Sequence, residues 1–275
     1  MPKVLSIIIV NTNTRDWLDA CLASLFAQNI FDQLQVIVIE NASKDGSREL
    51  LQEKYSWANA VFLDTTIGFG PANNIGSKEA MADTLLFLNQ DTVVKPESLG
   101  RILSELSERP DWGVAGGTVY DGDGDLERST GSYPTFTSLV LNRVLASIGW
   151  LRPLFGSFSF QHWKGYERSR TVGWVTGAYL WVRKDVFEEL GGFDEKIYLY
   201  CEDVDLCYRA TKLGKECLYF PTGPIVHYRN KAPVPRERKQ MQREYLNYFG
   251  QKHYHSPRFW ITRLTMWLMA PKPSN

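Results

Sequence analysis

Four short apolar runs, each followed by helix-like sequence, restrict this chain to an alternating α/β fold. The first, Val4–Val10, is broken only by Ser6 and is rich in β-branched residues. It has no polar face and is too short for a buried helix, as expected for a parallel strand covered on both sides. Val36–Ile39, Ala60–Leu63 and Leu85–Leu88 repeat the pattern. Within Arg15–Gln28, the residues Trp17, Leu18, Cys21, Leu22, Leu25 and Phe26 recur at helical spacing, and Ser47–Lys54 and Ala72–Ala82 read as further helices. Strands and helices alternating at this interval form βαβ units, and so a largely parallel sheet.

The second half is less regular. Pro96–Glu108 reads as a helix, with proline near its first turn. Val114–Tyr120 reads as a strand and Asp121–Asp125 as a turn, whose acids do not stand at the offsets of a calcium-binding EF-hand loop. An aromatic and glycine-rich stretch over 131–170 contains a short apolar helix, Leu139–Leu151. Val172–Val182 returns to strand character. Helices are expected at Asp185–Leu190, Asp203–Leu213, Arg236–Lys252 and Phe259–Met269, and a strand at Glu216–Phe220.

Composition narrows the class. With 44% hydrophobic and 23% charged residues in 275, the chain can bury a sizeable core and is not of disordered type. Its 31 basic and 31 acidic residues cancel, which argues against a nucleic-acid binder. The balance hides a split: residues 226–275 hold ten Lys/Arg against two acids, a net +8, and residues 1–225 are −8. Two surfaces with different partners are implied. Cys21, Cys201, Cys207 and Cys217 show no framework spacing and read as reduced thiols. The first residues lack a signal peptide's apolar stretch, and no run approaches the roughly 20 apolar residues of a membrane span, so a cytoplasmic location is expected.

Polar loops follow the expected strands, and ligands of open parallel sheets bind outside the carboxyl strand ends. Asn11-Thr12-Asn13 follows the first strand, and Glu40 to Ser47 the second. Thr66 to Asn74 follows the third, with Gly68 and Gly70 allowing close backbone approach and Asn73 and Asn74 at a helix start, where amides can face a nucleotide or phosphate. Asn89-Gln90-Asp91 caps the fourth, where a carboxylate can hold a divalent metal against a diphosphate. Each loop alone fits a turn or a helix cap; their succession points to a site. No GxGxxG or Walker A loop is present, which argues against NAD, FAD or a P-loop nucleotide. Further on, Glu202 and Asp203 open a helix, where one carboxylate can deprotonate a hydroxyl while the other orients substrate. His227 offers an imidazole to complete a metal shell begun by Asp91. His162 is assigned no role, nor are His253 and His255, which stand in a wet-looking basic stretch.

In order and spacing, these motifs resemble the family 2 glycosyltransferases, and among them the bacterial rhamnosyltransferase-like branch. The resemblance spans roughly residues 3–230 and rests most on Gly173–Ala178, Gly191–Glu195 and Glu202–Arg209. It implies the GT-A fold of nucleotide-diphospho-sugar transferases, an α/β fold with a mixed, mostly parallel central sheet flanked by helices. It implies a catalytic domain over residues 1–230, with a donor half at 1–95 and an acceptor and catalytic half at 96–230, and a basic aromatic helical extension over 231–275.

By the same resemblance, Asn11 and Asn13 belong to the nucleotide-binding first loop, and Glu40 contacts the base or ribose of the donor. Asn41 and Asp45 support that turn, and Gly68, Asn73 and Asn74 frame the nucleotide. Asp91 is the last acid of a DXD-type motif and, with His227, holds Mg²⁺ or Mn²⁺. Asp203 is the catalytic base, with Glu202 beside it. The chain departs from the family pattern in Asn89-Gln90 before Asp91, in Glu40 where Asp is usual, and in Thr66 where many relatives have Asn.

The implied reaction is an inverting transfer from a nucleoside-diphosphate sugar to an acceptor hydroxyl. The branch favours L-rhamnose from dTDP-L-rhamnose; a UDP-sugar donor and a noncatalytic carbohydrate-binding relative are the alternatives. A nucleotidyltransferase would place a glycine-rich basic loop after the first strand, and Val10–Asn13 has none. The implied acceptor is a sugar of a cell-surface or lipid-linked glycan, and aromatics between Trp150 and Trp181 are either stacking platforms or core. The C-terminal helices, with Phe259, Trp260 and Trp267, either pack on the body or in a homodimer, or rest peripherally on the anionic inner face of the plasma membrane.

Overall fold

The computed structural model describes residues 3–158, 160–162, 164–228 and 237–254; the expected helix Phe259–Met269 and His255 lie outside the described residues. The first half alternates as its apolar pattern requires: β1 (Leu5–Asn11), α1 (Arg15–Phe26), β2 (Leu34–Asn41), α2 (Ser47–Glu53), β3 (Asn59–Leu63), α3 (Phe69–Lys78) and β4 (Thr84–Asn89). β1 pairs in parallel with β2 and β4, and β2 with β3. All of β1 is buried because its two faces enter different cores. Leu5, Ile7 and Ile9 join Leu18 and Leu22 of α1, while Ile8 and Val10 join Ala72 of α3. Each such aliphatic side chain, fully removed from water, contributes about 1.5–3 kcal/mol. Gly76 lets α3 lie directly on β1, since a Cβ there would stand 2.5 Å from Cγ2 of Ile8.

The second half comprises β5 (Thr92–Val94), α4 (Ser98–Ser107), β6 (Trp112–Gly116), β7 (Val119–Asp121), β8 (Thr130–Gly131), α5 (Phe136–Ser147), α6 (Arg152–Phe155), β9 (Arg170–Thr171), β10 (Trp174–Val175), β11 (Tyr179–Arg183), α7 (Lys184–Glu189), α8 (Glu202–Lys212), β12 (Glu216–Tyr219), β13 (Ile225–His227) and α9 (Glu237–His253). β11 enters antiparallel between β4 and β6, giving the main sheet the order β3-β2-β1-β4-β11-β6-β12-β9. The sheet is thus mixed and mostly parallel. Two small sheets, β5-β13-β7 and β10-β8, stand beside it.

Two expected strands divide. Val114–Tyr120 breaks at Gly117-Thr118, so that β6 stays in the main sheet and β7 pairs with β13. A Cβ on Gly117 would stand 2.6 Å from the Tyr179 ring, so the crossing between sheets is built on a residue without one. Val172–Val182 divides into β10, paired with β8, and β11. The intervening Thr176-Gly177-Ala178 turn lies beside the candidate site. Among the described residues, no helix is long and apolar enough to cross a membrane.

Candidate active site

Strand register brings the polar strand ends together. Asn11 pairs with Glu40, Val10 with Asn89, and Asn41 with Leu63, so the loops after β1, β2, β3 and β4 leave one carboxyl edge side by side. The first two interlock through Ser43. Its hydroxyl accepts from Asn11 Nδ2 at 3.2 Å and from the Asn13 amide at 2.9 Å, while its own amide donates to Glu40 Oε1 at 2.7 Å. Asn13 is exposed at φ 52°, in the left-handed region, and its side-chain oxygen accepts from the Lys44 amide. Asp45 accepts from the amides of Arg15 and Ser47. Burial opposes the Asp45 carboxylate, but these bonds and the Ser47 hydroxyl hold it below the usual aspartate range. Sequence reasoning passed over Ser43, because a serine in an Asx/Gly-rich turn has no distinguishing signal.

Glu40 is the outstanding residue of this edge. Its side chain is fully buried, and Oε2 has no hydrogen-bond partner, with Arg48 Nη2 only at 3.8 Å. A buried acceptor left unmade costs about 1–3 kcal/mol, which makes this oxygen a ready acceptor for a ligand donor. Asn41 is engaged instead within the protein: its oxygen accepts from the Ile67 amide, and its nitrogen donates to Thr12 Oγ1 and the Ile67 carbonyl.

The third loop meets the approach to α8. A Cβ on Gly68 would lie 2.9 Å from the Tyr198 carbonyl oxygen, and the Phe69 amide donates to that same oxygen. Asn74 holds the loop before α8 rather than open space: Nδ2 donates to the Phe193 carbonyl and Oδ1 accepts from the Phe193 amide. Gly192 sits at φ 79°, where a Cβ would come within 2.5 Å of Asn74 Oδ1. Asn73 donates to the Phe69 carbonyl, and its buried oxygen has no partner.

Past β4, Asp91 and His227 meet. Asp91 Oδ1 lies 3.2 Å from His227 Nε2, and Glu127 Oε2 lies 3.2 Å from His227 Nδ1. All three are buried, and the side-chain Nδ2 of Asn89 stands 3.3 Å from Nε2. Burial opposes an imidazolium here, but the bonds to Asp91 and Glu127 outweigh it and push His227 up to about 9. Glu127, a hundred residues away in sequence, had no local motif to reveal it. A carboxylate on the far nitrogen is the usual way a ligating histidine is oriented. Among the described residues, no group of three or more His, Cys, Asp or Glu forms a metal cage. The Asp91 carboxylate suits an ion such as Mg²⁺, which is commonly bound by one or two carboxylates together with substrate phosphates, and the His227 imidazole joins such a shell only on giving up its proton.

At the start of α8, Asp203 is tied to the end of β4. Its Oδ2 accepts from the Gly177 amide at 2.9 Å and its Oδ1 from the Val204 amide at 2.8 Å. The neighbouring Ala178 carbonyl accepts from the Asn89 amide at 3.1 Å, so one short turn couples the Asp91 loop to Asp203. The backbone is strained just before, with Tyr200 at φ 72° and Cys201 at φ 68°. Burial raises the pKa of both acids, and the nearby Asp203 charge raises Glu202 further. Glu202 Oε2 is buried without a partner. The two amide donors therefore leave the charge on Asp203 and the proton on Glu202.

Glu202→Gln should accordingly be tolerated. A carboxyl raised in the folded state has its full stabilising effect below its unfolded pKa and loses it as pH rises. The variant should gain roughly 1–3 kcal/mol over wild type between about pH 5 and pH 8. Denaturant melts at the two pH values check this, and a constant stability difference would remove the proton from Glu202.

Helix α8 is fixed from behind. Asp205, fully buried, accepts from Arg209 Nε at 2.7 Å and from Lys252 Nζ at 2.9 Å, and lies 2.7 Å from His253 Nε2. Arg209 also donates to the Leu190 and Gly192 carbonyls, and Lys252 to Asp194. Phe249 of α9 is completely buried, so this helix packs on the body. The expectation of a wet His253 is thereby corrected: the basic residues around it hid a buried acid partner 48 positions away. His162 is likewise buried, between Thr130, Ser132 and Arg170.

The family model described as Glycosyl transferase family 2 matches residues 6–191. The N-acetylglucosaminyl-diphospho-decaprenol L-rhamnosyltransferase of Mycobacterium tuberculosis is 28% identical over 240 residues, covering 83% of this chain and 77% of its own. Rhamnosyltransferase WbbL of Escherichia coli K12 is 25% identical over 81% of this chain and 82% of its own. Among solved structures, the mannosyltransferase PcManGT from Pyrobaculum calidifontis, in complex with GDP-Man and Mn²⁺, superposes with a TM-score of 0.63 at 15% identity, over 96% of this chain and 70% of its own. The shared architecture is the GT-A fold.

Proposed function

The chain belongs to glycosyl transferase family 2, and from that premise we propose that it transfers L-rhamnose from dTDP-L-rhamnose, with inversion, to a sugar hydroxyl of a lipid-linked or cell-surface glycan. The observation that carries this is the link from the Asn89–Asp91 loop through Gly177-Ala178 to Asp203. One short turn joins the loop that carries Asp91 to Asp203, which supports reading the first as the carboxylate on the diphosphate side and the second as the base. The names of the rhamnosyltransferase relatives support the sugar, and the first of them supports a diphospho-polyprenol acceptor.

In this reading Glu40 Oε2 takes a hydrogen bond from the base or ribose, and Asn11, Asn13, Asn41 and Asp45 keep that turn in place. Gly68 and Asn73 wall the nucleotide, and Asn74, engaged with Phe193, holds the approach to α8. Asp91 and His227 would hold Mg²⁺ or Mn²⁺, with Glu127 orienting the imidazole. A bound divalent ion supplies neutralisation of the departing diphosphate. Asp203 takes the acceptor proton as the acceptor oxygen attacks the anomeric carbon from the face opposite the diphosphate. The C–O bond to the new sugar forms as the bond to diphosphate breaks, so a single displacement inverts the centre. Glu202, holding its proton, is placed to orient the acceptor. Residues 1–95 serve the donor, 96–230 the acceptor and base, and 231–275 extend beyond them.

Donor affinity and slow donor hydrolysis, measured across dTDP-L-rhamnose and UDP-sugars with Mg²⁺ or Mn²⁺, test the assignment. A preference of about tenfold or more for dTDP-L-rhamnose is expected, a ratio worth about 1.4 kcal/mol. Hydrolysis confined to UDP-sugars would replace the donor; binding without transfer or hydrolysis would make the chain a sugar-binding relative.

A further inference from the structure

The aromatic stretch before the catalytic turn leaves an apolar surface exposed. Trp150 is 74% exposed, Phe158 65%, Leu154 60%, Phe155 45% and Ile148 40%. These five fall within eleven residues, on the turn Gly149–Leu151, α6 and their flanks. The exposed Phe26, by contrast, packs on Phe31 and Trp57.

Charge distinguishes this patch. Residues 128–166 contain no Asp or Glu, in a chain with 31 of them, but contain Arg128, Arg143, Arg152 and Lys164. Lys164 Nζ donates to the Pro153 carbonyl and Arg152 Nε to the Leu145 carbonyl, so two cationic side chains flank the apolar ones. The stretch is also keyed to the catalytic helix. Tyr133 donates to the Cys207 carbonyl of α8, and Trp174 Nε1 lies 3.1 Å from the carbonyls of Ser132 and Phe160.

We propose that the Ile148–Phe158 surface docks on an anionic phospholipid bilayer. Tryptophan, phenylalanine and leucine suit the headgroup–acyl boundary, and neighbouring cations suit the negative leaflet. Neither contribution alone gives firm attachment, but the two together do. Docking here would hold α8 near the lipid surface that presents a lipid-linked acceptor. The surface rests on the acceptor reading above for its purpose only, because vesicle binding is read without donor or acceptor.

The full chain is floated with phosphatidylcholine vesicles, with and without phosphatidylglycerol, and compared with the triple variant Trp150→Ser, Leu154→Ser, Phe158→Ser. The wild type should bind the anionic vesicles preferentially, and the variant should lose roughly tenfold or more in partitioning. Its donor hydrolysis and thermal melt should be unchanged, which separates lost docking from a lost fold or a wrong transferase assignment. The single variant Trp150→Ser, with a smaller loss in the same direction, guards against a folding defect in the triple. Equal vesicle binding by wild type and variant, indifference of the wild type to phosphatidylglycerol, or a dimer-to-monomer change without a change in vesicle binding would each overturn the proposal.

Discussion

Asp203→Asn is expected to lower sugar transfer by about 10²–10⁴-fold, the usual contribution of a positioned general base, while leaving donor affinity within about twofold of wild type. The substitution keeps size and one hydrogen-bond acceptor but removes the group that takes the acceptor proton. It also sets an amide nitrogen against one of the backbone donors, Gly177 or Val204. The proposed donor contacts lie on the segments after β1, β2, β3 and β4, so calorimetric titration with donor should be little altered. In the wild type, burial raises the pKa of Asp203. The base must be ionised to act, so kcat/KM should fall on the acid side, with its limb above the ordinary aspartate range. That limb should vanish from the residual activity of the variant. Transfer within tenfold of wild type would take the base assignment away from Asp203. Glu202→Gln under the same assay should retain most activity, because glutamine reproduces the neutral, proton-bearing form assigned to Glu202. If Glu202→Gln were the more damaging change, the roles of the two acids would be reversed.

The parallel strands were readable because burial on both faces leaves continuous aliphatic sequence, as in Val4–Val10. The helix starting at Glu202 was readable for the same kind of reason, with acids in its first turn and Val204, Leu206 and Cys207 buried behind them. What hydropathy cannot show is a strand that changes sheet. Val114–Tyr120 keeps strand character throughout, but Gly117 lets the chain cross from the main sheet to β13. Within the candidate site, residues at strand ends were found because the carboxyl edge of a parallel sheet is where ligands bind. Ser43 and Glu127 were not. Each acts through a partner in another segment, Asn11 for one and His227 for the other, and neither has a local pattern that encodes it. Asn74 was placed correctly on its helix, but its amide turns out to be engaged with Phe193, a contact fixed by Gly192 and visible only in three dimensions.

Asp205→Ala should be the most destabilising single change near the site, by about 3–5 kcal/mol, the typical cost of breaking a buried ion pair from one side. Its carboxylate is completely enclosed and faces three cationic or potentially cationic side chains, Arg209, Lys252 and His253. Lys252 retains Asp194 as a partner and Arg209 its two carbonyls, so these groups stay solvated by the protein only in part. Lys252→Met should therefore cost less than Asp205→Ala, since Asp205 keeps Arg209. Burial works against the Asp205 charge, but His253, Arg209 and Lys252 overcome it and hold its carboxyl at about 2. A carboxylate depressed in the folded state contributes its full stability above the unfolded value of about 3.9. That contribution, about 2 kcal/mol, is lost as pH falls towards the folded value. Wild type should thus lose stability between about pH 4 and pH 2 through this group, while Asp205→Ala, already without it, should show a shallower acid loss. Urea titrations of both proteins at neutral pH and along that acid range measure the two effects together. Because α9 supplies Lys252 and His253, the same variant should also release the C-terminal helix, seen as faster amide exchange around Phe249. A stable variant with an unchanged acid transition and a protected α9 would mean that apolar packing of Phe249, and not the charge cluster, holds the helix against α8.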